Sequence, residues 1–260
     1  MITIVKTGGN IIDDENALDP FLEIFAKLDG PKLLVHGGGK TATGLAKKLN
    51  IPQEMINGRR VTSAATLELV TMTYAGLISK KITAKLNALN CISVGICGAD
   101  ADLLRAKKRA PLPVDFGFAG DLLPAGVNVK FLQQLFSAGI TPVIAPVTHD
   151  GNGQLLNTNA DTVAGCIASA LAAEAETQLI FCFEKNGVLR DLSSEDSLLP
   201  LLKKEALPEL TAAGTISQGM LPKIAAGFLA RENGVQRVVI GNSFQLQEIV
   251  QQTASCTELL

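Results

Sequence analysis

Residues 32–42 read Lys32-Leu33-Leu34-Val35-His36-Gly37-Gly38-Gly39-Lys40-Thr41-Ala42, a β-rich apolar run that breaks into three glycines and then opens a helix-length segment. A strand, a bare-backbone turn and a helix in that order form the unit from which parallel sheets are assembled. Working outward, the same alternation predicts strands near 2–7, 32–36, 92–97, 141–146, 178–183 and 236–240. Helices are predicted near 15–28, 40–49, 64–89, 128–137, 160–172, 203–212, 219–232 and 245–252. The expected fold class is therefore α/β, with a mostly parallel open sheet covered by helices. Polar stretches bearing Gly or Pro at 50–62, 104–127 and 147–158 read as hairpins or loops above the sheet, where ligand lids occur. The run Ala168 to Glu176 closes a helix before a fresh strand, which places a boundary near residue 174. The expected organisation is two lobes, 1–174 and 175–260, on one continuous sheet.

The 260 residues are 47% hydrophobic with a mean hydropathy of +0.28, enough to bury a large core without a partner. A formal charge of −2 gives no basic face for nucleic acid or an anionic membrane, so an anionic ligand has to be caught by local charges. Apolar runs such as Val143 to Val147 fall well short of the roughly 20 residues that cross a bilayer. Met1 leads directly into the run Ile2 to Thr7 with no signal-peptide pattern, so a cytoplasmic protein is expected. Five scattered cysteines, Cys91, Cys97, Cys166, Cys182 and Cys256, include no Cys-x-x-Cys and read as reduced thiols. The two histidines, His36 and His149, lie far apart without cysteines at ligand spacing, so no protein metal site is expected.

The glycine turn of residues 37–39 imitates two phosphate motifs without completing either. Gly39-Lys40-Thr41 ends like a Walker A loop, but the glycine required five positions before Gly39 is Leu34. Gly37-Gly38-Gly39-Lys40-Thr41-Ala42 fits Gly-x-Gly-x-x-Ala, yet the second strand with its ribose-binding acid is replaced by Ile51 to Thr62. What remains is physical: glycines allow close approach, and the helix that follows offers free N–H groups and a positive dipole end to an anion. Lys6 in Lys6-Thr7-Gly8-Gly9 ends an apolar strand, at the carboxyl edge where open α/β sheets bind ligands. Lys223 in Gly219-Met220-Leu221-Pro222-Lys223 sits in the first turn of a helix, where an anion would be welcome. Asn157-Thr158-Asn159-Ala160-Asp161 supplies more than the single residue an N-cap needs, leaving Asn157 and Asp161 for a ligand or for orienting a lysine. Arg60 carries a planar fork suited to a carboxylate. Asp100 and Asp102 read as loop-solvating, and Lys107-Lys108-Arg109 as a solvated hairpin.

Those blocks, together with Val35-His36-Gly37-Gly38-Gly39, Asn57-Gly58-Arg59-Arg60-Val61-Thr62 and Gln154-Leu155-Leu156, resemble the amino acid kinase family over essentially the whole chain. The glycine and lysine blocks are family-wide, whereas the Asn-Gly-x-Arg-Val-Thr and Asn-x-Asn-Ala-Asp stretches resemble the branch acting on an N-acylated glutamate in arginine biosynthesis. The resemblance implies a three-layer αβα sandwich, with the acyl amino acid and a homodimer contact in the N-terminal lobe and ATP, with its Mg²⁺, in the C-terminal lobe. It implies that Gly38, Gly39, Arg60 and Asn157 contact the amino acid. Lys6 and Lys223 would stabilise the phosphoryl group in transit, Asp161 would hold the lysines, and Gly8, Gly9, Glu184 and Gly187 would line the nucleotide side. The implied reaction is transfer of the γ-phosphate of ATP to the γ-carboxylate of N-acetylglutamate. Alternatives are N-succinylglutamate, another carboxylate or carbamate substrate, or a catalytically silent ligand-binding relative. The implied chemistry suits the composition: a glutamate carboxylate, with an ordinary pKa of about 4.3, is already a nucleophile at neutral pH and needs no general base.

The chain departs from the family pattern at several places. The usual hydroxyl residue and Asp near position 184 are replaced by Cys182-Phe183-Glu184-Lys185-Asn186-Gly187. Thr7 follows the first lysine in place of an aliphatic residue, Ser79 stands where Asn is usual, and a C-terminal Gly-Thr pair becomes Cys256-Thr257. The sequence starts at its first strand, without the extra N-terminal helix of arginine-inhibited hexameric members, so a dimer without arginine feedback is expected.

Overall fold

In the computed structural model, which describes residues 1–56, 58–191, 193–216 and 220–260, the strands that carry the site are buried on both faces. β1 (Ile2–Thr7) is buried along its whole length. It is followed by a short α1 (Gly9–Ile12), α2 (Glu15–Ala26), β2 (Lys32–His36) and α3 (Gly39–Lys48). A hairpin of β3 (Glu54–Ile56) and β4 (Arg59–Val61) leads to α4 (Ala64–Val70), a π-helical stretch over Thr71–Ile78, α5 (Ser79–Ala88) and β5 (Ser93–Cys97). Next come β6 (Lys107–Lys108), β7 (Gly120–Asp121), α6 (Val129–Ser137), β8 (Thr141–Ala145), β9 (Val147–His149), β10 (Leu155–Asn157) and α7 (Ala160–Ala172). The chain ends with β11 (Thr177–Phe183), β12 (Leu201–Leu202), α8 (Leu207–Ala212), α9 (Leu221–Glu232), β13 (Arg237–Asn242), α10 (Leu246–Val250) and β14 (Thr257–Leu259).

Eight strands form one sheet in the order β12-β14-β13-β11-β1-β2-β8-β5. From β13 to β5 every pairing is parallel; β14 is antiparallel to β13, and the edge strand β12 runs parallel to β14. Strands from residues 177–260 occupy one end of the sheet and those from residues 2–145 the other.

Because successive strand residues point to opposite faces, each central strand feeds two cores. Ile4, Leu33, Val35, Leu179, Phe181, Val238 and Ile240 join α7 and α9 on one face. Val5, Leu34, Val143, Ile180 and Val239 join α2, α5 and α10 on the other. The architecture is thus helix, sheet, helix in three layers. No helix among the described residues is long and apolar enough to cross a membrane.

Chain direction locates the cleft. The chain leaves β1 through α2 towards β2, and leaves β11 through α9 towards β13, in opposite directions across the sheet and over opposite faces. The carboxyl ends of β1 and β11 are therefore a topological switch point, where open sheets leave a crevice.

Three features differ from the sequence expectation. The edge strands β12 and β14 went unpredicted because two or three residues carry no period. The expected helix 64–89 runs from Ala64 to Ala88, but Thr71–Ile78 is wound as a π-helix, in which Thr73 Oγ1 donates to Leu69 O at 2.7 Å. The expected helix 203–212 begins as a single 3₁₀ turn, with α-helix only from Leu207. The glycine opening expected at Gly219 lies outside the described residues.

Candidate active site

Strand alternation carries Lys6 to the same face as Ile4, so its ammonium group emerges from the core at the carboxyl end of β1, facing α7 and α9. There it meets Asp161 Oδ1 at 2.8 Å. Lys223, in the first turn of α9, reaches the same oxygen at 3.2 Å and lies 5.2 Å from the centre of the Phe181 ring. The three side chains are no more than 10% exposed. Asp161 is placed by its helix: Asn159 caps α7, its Oδ1 accepting from the backbone N–H groups of Asp161 at 2.9 Å and Thr162 at 3.1 Å.

The electrostatics follow from this geometry. Burial alone would raise the Asp161 pKa, but the charges of Lys223 and Lys6 outweigh it and hold the group down to about 2. Burial pulls Lys223 down to about 8, Asp161 opposing and the like charge of Lys6 assisting. His36 is fully buried, its Nδ1 2.8 Å from Gly37 O, and burial lowers it to about 4. A neutral, enclosed imidazole of that kind is a packing group beneath the glycine turn.

Two connected spaces open from this centre. A cleft of about 750 Å³ is lined by Lys6, Gly8, Gly9, Asp161, Glu184 and Lys223, among others. A cavity of about 180 Å³ is lined by Gly37 to Gly39, Arg59, Arg60, Tyr74, Arg109 and Asn157 to Ala160. Gly39, Met55, Gly58 and Arg60 belong to both walls, so the two spaces meet beside the Arg60 guanidinium. Arg60 is 9% exposed and donates to Gly39 O and Thr43 Oγ1, each at 3.0 Å, and to Gln53 Oε1. Among the described residues no carboxylate pairs with it. The glycines meet a steric need: Gly38 has φ +154°, and a Cβ there would strike Ile78 Cδ1 and lie 2.9 Å from Tyr74 Cδ1. The N-termini of α3 and α7 both open on the cavity.

A layer of hairpins closes the cavity from above. Residues 116–118 run between Thr62 and β10, with Thr62 N donating to Phe116 O at 3.0 Å, Phe118 N to Thr62 O at 2.8 Å and Asn157 N to Phe118 O at 2.9 Å. The Asn157 side chain donates to Thr62 Oγ1 at 3.0 Å.

Most of the expected site residues converge. Lys6, Asp161 and Lys223 meet, Gly38, Gly39, Arg60 and Asn157 line the cavity, and Gly8, Gly9 and Glu184 line the cleft. Gly187 is outside both linings, buried against Thr257, whose backbone nitrogen would lie 2.8 Å from an added Cβ. Thr257 Oγ1 accepts from Val188 N and donates to Leu199 O, so the pair ties the 184–199 segment to β14. Asp100 and Asp102 serve loop contacts, with Cys97 N and with Arg105 and His149. Sequence reasoning assigned no site role to Arg59, Tyr74 or Arg109. The basic stretch does form a hairpin, with Lys107 and Lys108 exposed, but Arg109 turns inward to the cavity wall and is half-buried. None of the five cysteines is paired, and burial pushes the Cys166 and Cys182 thiols to about 12.

A three-layer α/β fold with a buried lysine pair on one carboxylate, at a switch-point cleft, defines a class of proteins built to receive anions. The chain belongs to the amino acid kinase family, whose family model matches residues 1–242. It is 48% identical over 239 residues to an acetylglutamate kinase of Phocaeicola vulgatus, covering 92% of each chain. It is also 48% identical over 249 residues to an acetylglutamate kinase of Cytophaga hutchinsonii, covering 95% of this chain and 93% of that one. In fold it resembles the carbamate kinase from Giardia lamblia bound to AMP-PNP, with a TM-score of 0.70 and 12% identity over 100% of this chain and 98% of that chain. It also resembles the N-acetylglutamate synthase from Neisseria gonorrhoeae complexed with coenzyme A and N-acetyl-glutamate, with a TM-score of 0.81 and 20% identity over 99% of this chain and 59% of that chain.

Proposed function

We infer that the chain is an ATP-dependent kinase that phosphorylates the γ-carboxylate of N-acetyl-L-glutamate, giving N-acetyl-L-glutamyl 5-phosphate and ADP in arginine biosynthesis. Curated relatives at close to half identity over most of the chain carry that activity in their names. The observation that carries the residue roles is the shared Asp161 oxygen: two ammonium groups are fixed on one spot at the mouth of a cleft.

The difficulty in this reaction is repulsion, because a carboxylate has to approach a polyphosphate while charge builds on the transferring group and on the departing ADP. Lys6 and Lys223, held in place before substrate arrives, meet that charge without reorganisation, and a single preorganised donor of this kind is worth roughly 3 kcal/mol of barrier. Asp161 is a positioning residue. It offsets one of the two lysine charges and leaves the centre with a net positive charge for the phosphoryl group. In the adjoining cavity, Arg60 takes the substrate's α-carboxylate, Asn157 and the amides of Gly38 and Gly39 orient it, and the γ-carboxylate points back towards the lysines.

Glu184 borders the nucleotide side of the cleft from residues 175–260, which act as the ATP lobe, while 1–174 act as the amino acid lobe and reach the nucleotide through Gly8 and Gly9. Mg²⁺ enters with the nucleotide, whose phosphate oxygens suit its preference for oxygen ligands. The five unpaired thiols suit a reducing cytoplasm. A homodimer is supported by the open edge strand β5, with Ile92 exposed directly before it.

The test is a coupled ADP-release assay on the purified chain with N-acetylglutamate, whose gel-filtration volume also reads the dimer. Turnover dependent on both ATP and the acyl amino acid is expected. Binding of N-acetylglutamate with no ADP release would point to a silent relative instead.

A further inference from the structure

Tyr74 is the chain's one tyrosine, and the chain has no tryptophan. Its side chain is buried, the residue being 6% exposed, yet it forms part of the cavity wall with Arg60, Asn157 and the glycine turn. The π-helical stretch Thr71–Ile78 carries it there, and π-helical turns recur at functional sites. A Cβ on Gly38 would lie 2.9 Å from Cδ1 of Tyr74 and 3.0 Å from Cε1, so the edge of the ring runs along the Gly38 backbone. Cε1 adjoins the carbon that bears the hydroxyl. Contact along that edge fixes the ring and leaves the hydroxyl end to meet a ligand.

A phenol buried to this degree needs an acceptor for its proton. Among the described residues its hydroxyl donates to no protein atom, so that proton is left for the cavity the ring lines. Burial raises the phenol's pKa and the charge of Arg60 opposes the rise, which keeps the group protonated, and a donor, at neutral pH. The neighbouring guanidinium has donors to spare but not enough to satisfy a carboxylate. Arg60 gives Nη2–H groups to Gly39 O and Thr43 Oγ1 and one Nη1–H to Gln53 Oε1, which spends three of its five. A carboxylate accepts about four hydrogen bonds, so Arg60 alone would leave part of it bare. Tyr74 stands beside Arg60 on the same wall with a proton to give.

We propose that Tyr74 is a substrate-binding residue whose hydroxyl donates to the α-carboxylate that Arg60 receives. This rests on the kinase reading above, with the γ-carboxylate at the lysines and the α-carboxylate on Arg60. The carboxylate is then gripped by two elements, a cation from the β3–β4 hairpin and a neutral donor from the helix that follows it, and a hydrogen bond to an ionised acceptor is the stronger kind. Two fixed donors on different elements set the direction of the amino acid as well as its affinity, which a single flexible pair does not.

The probe is N-acetyl-L-glutamate without nucleotide, titrated into the wild-type chain and into Tyr74→Phe, which removes one oxygen and keeps the ring against Gly38. Wild-type tyrosine emission is expected to fall on binding, because a phenol donating to a carboxylate is quenched, and the signal belongs to residue 74 alone. Calorimetry is expected to give a Kd about tenfold weaker for Tyr74→Phe, the size of one hydrogen bond to a charged acceptor. In the ADP-release assay KM for the amino acid should rise by the same factor, with kcat within a few-fold of wild type and KM for ATP unmoved. Thermal melting establishes that the variant is folded; if it is not, the wild-type emission decides alone. A folded Tyr74→Phe with Kd within about twofold of wild type, or emission that stays unmoved while calorimetry records wild-type binding, overturns the assignment and leaves the kinase reading standing. Neither binding nor turnover in the wild type would remove both.

Discussion

The lysine centre and the Arg60 wall are both buried and both cationic, yet they are built on opposite plans. At the centre Lys6 and Lys223 converge on one oxygen of Asp161, so much of the cost of burying charge is met internally. At the wall Arg60 has only neutral acceptors, a backbone carbonyl, a threonine hydroxyl and a glutamine oxygen. The first arrangement is complete before any ligand arrives and presents fixed charge to a group in transit. The second is a buried cation awaiting its anion, which is what a stable ground-state carboxylate needs. Interactions that strengthen only in the transition state raise kcat, whereas those made equally to bound substrate lower KM. On the proposed roles the two regions would divide the kinetic constants between them.

The sharpest way to break this division is to remove a lysine. Lys6→Ala or Lys223→Ala leaves Asp161 with a single partner, so the net positive charge at the centre disappears along with one donor. A fall in kcat of about a hundred- to a thousandfold is expected, corresponding to roughly 3–4 kcal/mol for one preorganised donor. Circular dichroism should show the fold retained. Near-normal turnover in either folded variant would show that the shared oxygen organises a structural ion cluster and not the reaction.

Arg60→Ala probes the other plan and is expected to do less. On the proposed role its guanidinium would hold the substrate in both ground and transition states, so KM for the amino acid should rise by about tens-fold, with kcat within a few-fold of wild type. An equal fall in kcat with KM unmoved would place Arg60 with the lysines and dissolve the contrast.

The difference between the two regions also governs what could be read in advance. Lys6, Asp161 and Lys223 were legible because each sits at a chain landmark: a strand end before paired glycines, a helix start after an excess of capping residues, and a helix start at Pro222. The parallel core was legible because apolar runs buried on two faces are long and continuous. The Arg59 and Arg109 wall was not, because it is assembled from hairpins whose strands have only two or three residues. Lys107-Lys108-Arg109 looks uniformly solvated in sequence, and only the register with Gly120 and Asp121 sets Arg109 apart from its neighbours. Tyr74 was hidden for a related reason. It approaches Gly38 from a π-helical turn, and a period of 3.6 residues does not describe where such a turn points its side chains. The 184–199 segment lies in between. Its departure from the family pattern was visible, but the tie from Thr257 to Val188 and Leu199 spans some sixty residues and leaves no local trace.

Titration separates the two plans without mutation and by a smaller margin. Lys223 loses its proton at about pH 8, because burial disfavours the charged form by more than Asp161 restores it, whereas an ordinary lysine keeps its proton to about pH 10. Since kcat/KM reports ionisations of the free enzyme, kcat/KM for ATP should decline above about pH 8 and approach a tenfold fall per pH unit. On the acid side Asp161, held down to about 2, keeps its charge throughout the working range. Deprotonation of Lys223 does not itself unfold the chain, whereas the buried Cys166 and Cys182 thiols, pushed up to about 12, work the other way by releasing protons on unfolding, so Tm has to be followed beside kcat/KM. Between pH 8 and the ordinary lysine pKa the unfolded chain binds more protons at residue 223 than the native one, so this group makes stability rise with pH across that window. A Tm that holds or rises from pH 8 to 9.5 while kcat/KM falls would assign the loss to the lysine centre. A flat kcat/KM over the same interval would mean that Lys223 keeps its charge in the free enzyme, with Asp161 outweighing the cost of burial.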